Sequence, residues 1–226
     1  MKYSRHHPSE NYKQHIAYYQ SMHTQGYSRN INGQDQFTSA QDSFPGDALG
    51  KFLQPIQQII EVTGAKSVLD YGSGKGQKYH QNNIEINGEH FQDIQNYWKI
   101  DSIKLYEPAL QQYNALPADK VDGVISTDVL EHIPEEDIPW VIEEMFEVSK
   151  NFVFASIACF DALAILPNGK NAHCTVKHPQ WWAGIFQFIC NHYPNHKYLL
   201  ALIGPNINPL GKITNQLVWE NNLNTP

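Results

Sequence analysis

Residues 68–77 read VLDYGSGKGQ, and this stretch decides the fold class of the chain. The apolar run from Ala65 to Tyr71 has the length and composition of a short strand that is buried on both faces. Three glycines then alternate with Ser73 and Lys75. Because glycine tolerates backbone conformations and close approaches that a side chain prevents, the turn is suited to holding a ligand against bare backbone.

Strands and helices alternate along the rest of the chain. Apolar runs predict further strands at 102–108, 122–130, 151–158, 197–204 and 215–221. Helical periodicity predicts helices at 15–23, 47–63, 90–98, 135–150 and 179–192. This alternation predicts an α/β fold, with a Rossmann-like open twisted sheet, mostly parallel, and helices on both faces. The last two strands have no helix between them, so the final strand is predicted to be antiparallel. Pro55 predicts a kink or a late start of the second helix.

Two regions are expected along the chain. Residues 1–46 are polar with scattered aromatic residues and are predicted to form a helix and a lid-like segment. Within them, residues 24–46 are predicted to be a long loop, which in a compact domain usually serves as a lid or is disordered. Residues 47–226 are predicted to form the α/β domain.

Composition and charge exclude several classes of partner. The 226 residues contain 16 Lys and Arg against 23 Asp and Glu, a formal net charge of −7. Without a run of basic residues, nucleic acid is a poor candidate partner. The longest apolar stretches fall short of the roughly 20 residues that span a bilayer, so no membrane association is expected. Three cysteines without a CxxC pair, and an N-terminus without an apolar signal region, favour a reducing compartment, the cytoplasm.

The glycine turn can be compared with three kinds of ligand-binding motif. A P-loop requires GxxxxGK[ST], whereas Gly76 follows Lys75 here. A dinucleotide fingerprint requires GxGxxG, whereas position 77 is glutamine. An acid two residues before the first glycine, Asp70, would repel a pyrophosphate but can accept hydrogen bonds from an ammonium group. Glu107, at the end of the next predicted strand, can accept hydrogen bonds from both hydroxyls of a ribose. A ligand with an amino-acid part and a nucleoside part, S-adenosylmethionine, suits this pair.

Three motifs together resemble one enzyme family. LDYGSGKG (69–76), LYEPA (105–109) and VDGVISTDVLEHIPEED (121–137) closely resemble the class I S-adenosylmethionine-dependent methyltransferases. The stretch ILPNGKNAHCTVKHPQWWAGIF (165–186) looks like a group of small bacterial-type methyltransferase-domain proteins whose substrates are mostly unassigned. The resemblance covers about residues 45–190, and it implies S-adenosylmethionine as cofactor and S-adenosylhomocysteine as product.

The resemblance also implies roles for individual residues. Those at the methionine end of the cofactor would be Asp70, Gly72, Ser73, Gly74 and Gly76, and Tyr71 would offer an aromatic face to the sulfonium. Glu107 would hold the ribose, with Pro108 and Ala109 near the adenine, while Asp128 and Val129 would line the methionine and methyl side. Only residues 111–119 separate the segment of Glu107 from the next predicted strand, so the third strand of the family's sheet is predicted to be short or absent. The residue that contacts the adenine amino group therefore stays open.

The predicted reaction moves a methyl group to an oxygen or nitrogen atom of a small molecule, a sugar or another metabolite. His132 and His173 are the candidate general bases, each with a structural role as the alternative. Glu131 is instead predicted to be a charge at a helix N-terminus. No metal site is predicted, because the chain has no CxxC pair and no helical HxxxH pair. The alternatives are a non-catalytic S-adenosylmethionine-binding module, and a nucleic-acid or protein methyltransferase. The acceptor and the oligomeric state stay open.

Overall fold

The computed structural model describes residues 2–207 and 213–223 of the chain. Its helices are α1 Glu10–Gln25, α2 Leu53–Thr63, α3 Ile94–Trp98, α4 Ile138–Val148 and α5 Pro179–Cys190. Its strands are β1 Tyr27–Ile31, β2 Gln34–Thr38, β3 Ser67–Tyr71, β4 Ile84–Ile86, β5 Glu89–Phe91, β6 Ser102–Tyr106, β7 Val121–Thr127, β8 Ser149–Ala158, β9 Ala164–Ile165, β10 Lys197–Ile207 and β11 Ile213–Asn221.

The central sheet has six strands in the order β11-β10-β8-β7-β3-β6. Neighbouring strands are parallel, except that β11 runs antiparallel to β10. The predicted mixed α/β fold with a mainly parallel sheet and an antiparallel last strand is therefore confirmed. Only a short 3-10 turn, Gln111–Tyr113, lies between β6 and β7, so the third strand of the pattern is absent and β6 forms the edge of the sheet.

Helices cover both faces of this sheet. On one face α4 and α5 bury Phe146 and Trp182 against Val153 and Leu200. On the other face α2 and α3 bury Ile56 and Trp98 together with strand residues such as Phe152 and Phe154. Successive residues of β8 thus enter opposite cores, as the alternation of side chains along a strand requires.

The start of α2 follows the position of Pro55. A 3-10 turn, Asp47–Lys51, precedes the helix, and Pro55 lies in its first turn, where a missing backbone N–H costs nothing. Gly64 ends the helix in the left-handed conformation, with φ 66°. The late helix start is therefore confirmed.

The N-terminal region is more ordered than its sequence suggested. Helix α1 spans Glu10–Gln25, and Ser9 caps it by accepting a hydrogen bond from the backbone N–H of Tyr12. Strands β1 and β2 form a hairpin within 24–46, and β1 also pairs with β9. The prediction of a long loop there was wrong. Asn32 and Gly33 at its turn both have positive φ, the two-residue geometry that an Asn-Gly pair favours.

A second hairpin, formed by β4 and β5, was also not predicted from the sequence. The predicted helix at 90–98 begins only at Ile94, where Asp93 caps it, and β4 and β5 occupy the residues before it. Asn87 and Gly88 form the turn between these strands, again with positive φ. The amide-rich composition of this stretch hid two short strands that alternate apolar and polar residues.

Side chains of the first helix and the segment before it are attached to the sheet domain. Arg5 forms an ion pair with Glu144 of α4, and the hydroxyl and backbone N–H of Ser9 both donate to the carboxylate of Asp137. These contacts hold α1 beside α4. Over the part of the chain that the structure describes, no helix is long and apolar enough to cross a membrane.

Candidate functional site

The predicted site residues gather at one edge of the sheet. Asp70 lies in β3, Glu107 directly follows β6, and Asp128 directly follows β7. These three strands are adjacent and parallel, so their carboxyl ends meet at the same edge. The backbone N–H of Gly74, in the glycine turn after β3, donates to Oε2 of Glu107 at 3.2 Å, which joins two of the strand ends directly.

Asp70 is a buried carboxylate with one unused oxygen. Its side chain belongs to a residue only 3% exposed. Oδ2 accepts a hydrogen bond from the Tyr79 hydroxyl at 2.8 Å, while Oδ1 accepts none from any described residue. Burial raises the pKa of Asp70 to about 7, against the opposing effect of the Tyr79 hydrogen bond, and the nearby charge of Glu107 raises it further. Such a group can accept a hydrogen bond from a ligand cation.

Glu107 is partly buried and bonded to backbone on both sides. Oε2 accepts from Gly74, as above, and Oε1 accepts from the backbone N–H of Ala109 at 3.0 Å. Burial raises the pKa of Glu107, and the two N–H groups oppose that rise. Each oxygen keeps a free lone pair. Pro108, half-buried, lies between Glu107 and the buried Ala109.

Other residues of the protein pack against the bare backbone of the glycine turn. Gly72 and Gly74 both have positive φ, 86° and 54°. A Cβ atom on Gly72 would lie 2.4 Å from a methyl group of Val129, and one on Gly74 would lie 2.5 Å from the carbonyl oxygen of Phe44. Ser73 is buried between them. Gly76 leads into the 3-10 turn that carries Tyr79.

Residues 40–46, here named the cover segment, lie over this turn. The carbonyl oxygen of Phe44 accepts from the backbone N–H of Lys75 at 2.9 Å, and that of Pro45 accepts from Gln77 at 3.1 Å. The Lys75 ammonium group donates to Ser43 Oγ at 3.1 Å and to two carbonyl oxygens of the segment. The glycine turn is therefore closed by the N-terminal region.

Aromatic side chains hold the cover segment in place. The Phe44 ring stacks on Tyr27 with ring centroids 5.0 Å apart, and it packs at an angle against His23 and Tyr19. Helix α1 and the β1–β2 hairpin thus support the closed arrangement together.

Tyr71 has its side chain in a different network. The residue is 2% exposed, and its hydroxyl donates to Glu144 Oε2 at 2.8 Å. Its ring packs against Tyr106 with centroids 4.8 Å apart, and Arg5 binds both Glu144 and the Tyr106 hydroxyl. The ring and hydroxyl of Tyr71 are thus engaged beside α4.

Asp128 and Val129 follow the end of β7. Asp128 is exposed and adopts the left-handed conformation, with φ 61°, which aspartate tolerates better than most residues. Its backbone N–H donates to the carbonyl oxygen of Ser156 at 3.0 Å. This bond fixes the turn of the chain after β7. Val129, the next residue, packs against Gly72.

His132 and His173 lie side by side. Neither their spacing along the sequence nor its periodicity indicates this contact. Their ring centroids are 4.5 Å apart and the rings are nearly perpendicular. Nδ1 of His132 lies 3.0 Å from the carbonyl oxygen of Ala172 and 2.6 Å from the Tyr19 hydroxyl. Burial, followed by the charge of His173, lowers the pKa of His132 to about 4. The His132 ring is therefore neutral near pH 7.

Glu131 is the residue that sequence reasoning misplaced. It is fully buried, so the prediction of a charge at a helix N-terminus was wrong. Its Oε1 accepts from the backbone N–H of Ala158 at the end of β8, while Oε2 has no donor in the described chain. Burial, and then the Asp128 carboxylate, raise the pKa of Glu131 well above its usual range. No signal in a single sequence marks this burial.

One ligand atom from each of Asp128, His132 and His173 lies within 4.8 Å of the others. The three residues come from two separate loops, which explains why their spacing along the chain does not indicate a metal site. Other histidines and cysteines serve elsewhere: His178 caps α5, and Cys190 donates to the carbonyl oxygen of His196.

No family model, no curated protein and no solved structure matches this chain.

Proposed function

We propose that this chain is an S-adenosylmethionine-dependent methyltransferase that acts on an oxygen or nitrogen atom of a small molecule. One observation carries the proposal: Oδ1 of Asp70 is buried near the end of a central strand, two residues before the first glycine of the turn, and has no partner in the described chain. A buried acceptor without a donor costs free energy, about 1–3 kcal/mol, unless a ligand supplies the donor. An ammonium group is such a donor.

The strand order supports a ligand at this place. From β3 the chain goes outward to β6 and then crosses back to β7 on the other side of β3. The order of strands therefore reverses between β3 and β7, and ligands of Rossmann-like sheets bind in the crevice outside the strand ends at such a point. Asp70 and Asp128 flank it. This reversal is the basis for describing the fold as Rossmann-like.

The residues present fit the two ends of S-adenosylmethionine. Asp70 would accept from the methionine ammonium group, and the free lone pairs of Glu107 would accept from the ribose hydroxyls. Gly72, Ser73, Gly74 and Gly76 would approach the methionine part, Pro108 and Ala109 the adenine, and Val129 the methyl side. The cover segment lies over the turn, so entry of the cofactor requires that this segment open, as active-site lids do.

The bound cofactor supplies the methyl group and its leaving group, so the protein mainly aligns the acceptor. Alignment alone lowers a barrier by roughly 7–11 kcal/mol in favourable cases. A hydroxyl or ammonium acceptor must also lose a proton. His132 and His173 stand beside Asp128, and His132 is neutral near pH 7, as a proton acceptor must be. The excess of acidic residues favours a small acceptor over a nucleic acid.

Calorimetric titration with S-adenosylmethionine, S-adenosylhomocysteine and NAD tests the proposal. We expect the first two to bind at micromolar concentration and NAD not to bind. Asp70→Asn and Glu107→Gln should each weaken binding by about 1–3 kcal/mol, whereas the exposed Glu89→Gln should leave it unchanged. Failure of both adenosyl compounds to bind folded protein would refute the proposal.

A transfer assay separates an enzyme from a binding module. Radioactive methyl transfer from the cofactor to small molecules of a cell extract is expected for the wild type and is expected to be lost in Asp70→Asn. Cofactor binding without transfer to any extract fraction would instead favour the non-catalytic module.

A further inference from the structure

Asp128, His132 and His173, here named the His–Asp cluster, have the composition of a metal site. One potential ligand atom of each lies within 4.8 Å of the other two. Two imidazoles and one carboxylate are a donor set that proteins use for catalytic zinc and for non-haem iron. The cluster lies in the part of the chain that the structure describes, at the carboxyl end of the sheet beside the cofactor residues.

Both histidines are held in the orientation that metal ligands need. Nδ1 of His132 faces the carbonyl oxygen of Ala172, and Nδ1 of His173 faces that of Phe160 at 2.5 Å. A carbonyl oxygen only accepts, so Nδ1 of His173 carries the ring proton and its Nε2 is left with a free lone pair. Nδ1 of His132 also faces the Tyr19 hydroxyl, which can donate or accept, and Nε2 of His132 is free in the tautomer that donates to Ala172. A ring fixed through one nitrogen by a backbone carbonyl, with the other nitrogen free, is the usual arrangement of a metal-binding histidine.

A further buried acceptor lies next to the cluster. Glu131 is fully buried, its Oε2 has no donor in the described chain, and its carboxylate is close enough to that of Asp128 to interact with it. Glu131 therefore adds a buried oxygen acceptor beside the three proposed ligands.

We propose that the His–Asp cluster binds one divalent transition-metal ion, of the class of Zn²⁺, Fe²⁺ or Mn²⁺. Two imidazole ligands disfavour Mg²⁺ and Ca²⁺, which prefer oxygen. Ligand atoms about 2.0–2.2 Å from one ion lie roughly 3–3.5 Å apart, so the cluster must contract by about 1.5 Å or less. Asp128 is exposed and can move that far.

Three protein ligands leave at least one coordination position open, as catalytic sites do and structural sites do not. Asp128 is exposed, so solvent reaches the cluster. The role of the ion rests on the proposed function. An acceptor hydroxyl bound at the open position would become more acidic and release its proton to solvent water, and its oxygen would take the methyl group as the bond between that group and the cofactor sulfur breaks. Metal binding occupies the same Nε2 lone pairs that a general base would use, so the two roles of the histidines exclude each other.

The site is tested on untagged full-length protein, stripped with EDTA and titrated separately with Zn²⁺, Mn²⁺ and Mg²⁺. We expect one Zn²⁺ per chain, weaker Mn²⁺ binding and no Mg²⁺ binding at the same concentrations. Asp128→Asn should lower Zn²⁺ affinity at least tenfold, and asparagine keeps the left-handed backbone of that position. His173→Gln should lower it similarly. The exposed His80→Gln and His192→Gln are the controls and should bind as the wild type does.

Absence of one-to-one Zn²⁺ binding by the folded wild type overturns the inference. So does affinity that Asp128→Asn and His173→Gln leave unchanged, because the ion then sits on other surface groups. Metal binding is measured without S-adenosylmethionine, and cofactor binding is measured in EDTA. Failure of the metal site is therefore distinguishable from failure of the proposed function.

Discussion

The Tyr79 hydroxyl donates a hydrogen bond of 2.8 Å to Oδ2 of Asp70, near the end of β3. This bond fixes the carboxylate and leaves its other oxygen, Oδ1, without a partner in the described chain. Tyr79 lies in the 3-10 turn that follows the glycines, so the turn that would bind the ligand also orients the acid. Burial places the pKa of Asp70 at about 7, near the pH at which the protein would work. Perturbed acids of this kind concentrate at functional sites.

The pKa of Asp70 predicts a pH dependence of cofactor affinity. Below about pH 7 Asp70 is protonated in the free protein, and binding of an ammonium group requires that this proton leave. The affinity for S-adenosylmethionine should therefore fall about tenfold for each pH unit below 7. Calorimetry between pH 5.5 and 8.5 measures this.

Asp70→Asn is the matched control for that titration, because it removes the titrating group and keeps the shape. Its weaker affinity should change little over the same range. An affinity of the wild type that is flat from pH 5.5 to 8.5 would contradict the assignment of Asp70 to the ammonium group.

The same carboxylate should lower the stability of the free protein as pH rises. The unfolded chain has an aspartate pKa near 3.9, whereas burial raises the folded pKa of Asp70 to about 7. Between these values the folded state binds the proton more tightly, so stability falls as pH rises through this window. From pH 5 to pH 8 the free energy of unfolding of Asp70→Asn should rise relative to that of the wild type by about 1–3 kcal/mol.

Urea denaturation of both proteins at the two pH values measures this difference. Contributions from all other groups cancel in the comparison, because only position 70 differs. A free energy of unfolding of Asp70→Asn that stays constant or falls relative to that of the wild type from pH 5 to pH 8 would show that Asp70 does not carry the raised pKa.

The central sheet was predictable because most of its strands are apolar runs, and β3, β6 and β7 lead directly into a glycine or an acid. Asp70 and Glu107 could be assigned to neighbouring strand ends on that basis alone. The two small hairpins were missed even though Asn32-Gly33 and Asn87-Gly88 are strong hairpin signals, because their flanking strands are short and polar.

The rest of the site depends on packing between distant segments. A glutamate is ordinarily exposed, and Glu131 is buried only because β8 presents the N–H of Ala158 to it. His132 and His173 meet because two loops fold together. Phe44 covers Gly74 through backbone contacts that carry no sequence signature.

The ion pair between Arg5 and Glu144 predicts a large loss of stability in Arg5→Met. Glu144 is 9% exposed in its side chain, and Arg5 is 34% exposed. Removal of the arginine leaves a buried carboxylate supported by Tyr71 alone. Breaking a fully buried pair costs 3–5 kcal/mol, and the partial exposure of Arg5 reduces this to about 2–3 kcal/mol.

Chemical denaturation of Arg5→Met measures that loss, with Lys13→Met as its control. Lys13 pairs with Glu10 on the surface of α1, so its replacement should cost about 0.5 kcal/mol or less. Equal losses in the two variants would mean that the buried network does not hold the N-terminal region in place.

Gly74→Ala should open the cover segment. An alanine Cβ would lie 2.5 Å from the Phe44 carbonyl oxygen, and the residue has φ 54°, so the variant combines a clash with a strained backbone. Gly64→Ala is the matched control, because φ is 66° there and no atom lies within 4 Å of an added Cβ. Strain alone should cost each variant about 1–2 kcal/mol.

Only Gly74→Ala should displace the segment, because only there does the added methyl group meet backbone. Hydrogen exchange should therefore speed up at the N–H groups of Lys75 and Gln77, which donate to Phe44 and Pro45. Gly64→Ala should leave both amides protected, since the cover segment does not contact the end of α2 that it alters. Exchange that is equally fast in the two variants, at matched stability, would mean that the contact between Gly74 and Phe44 does not keep the segment closed.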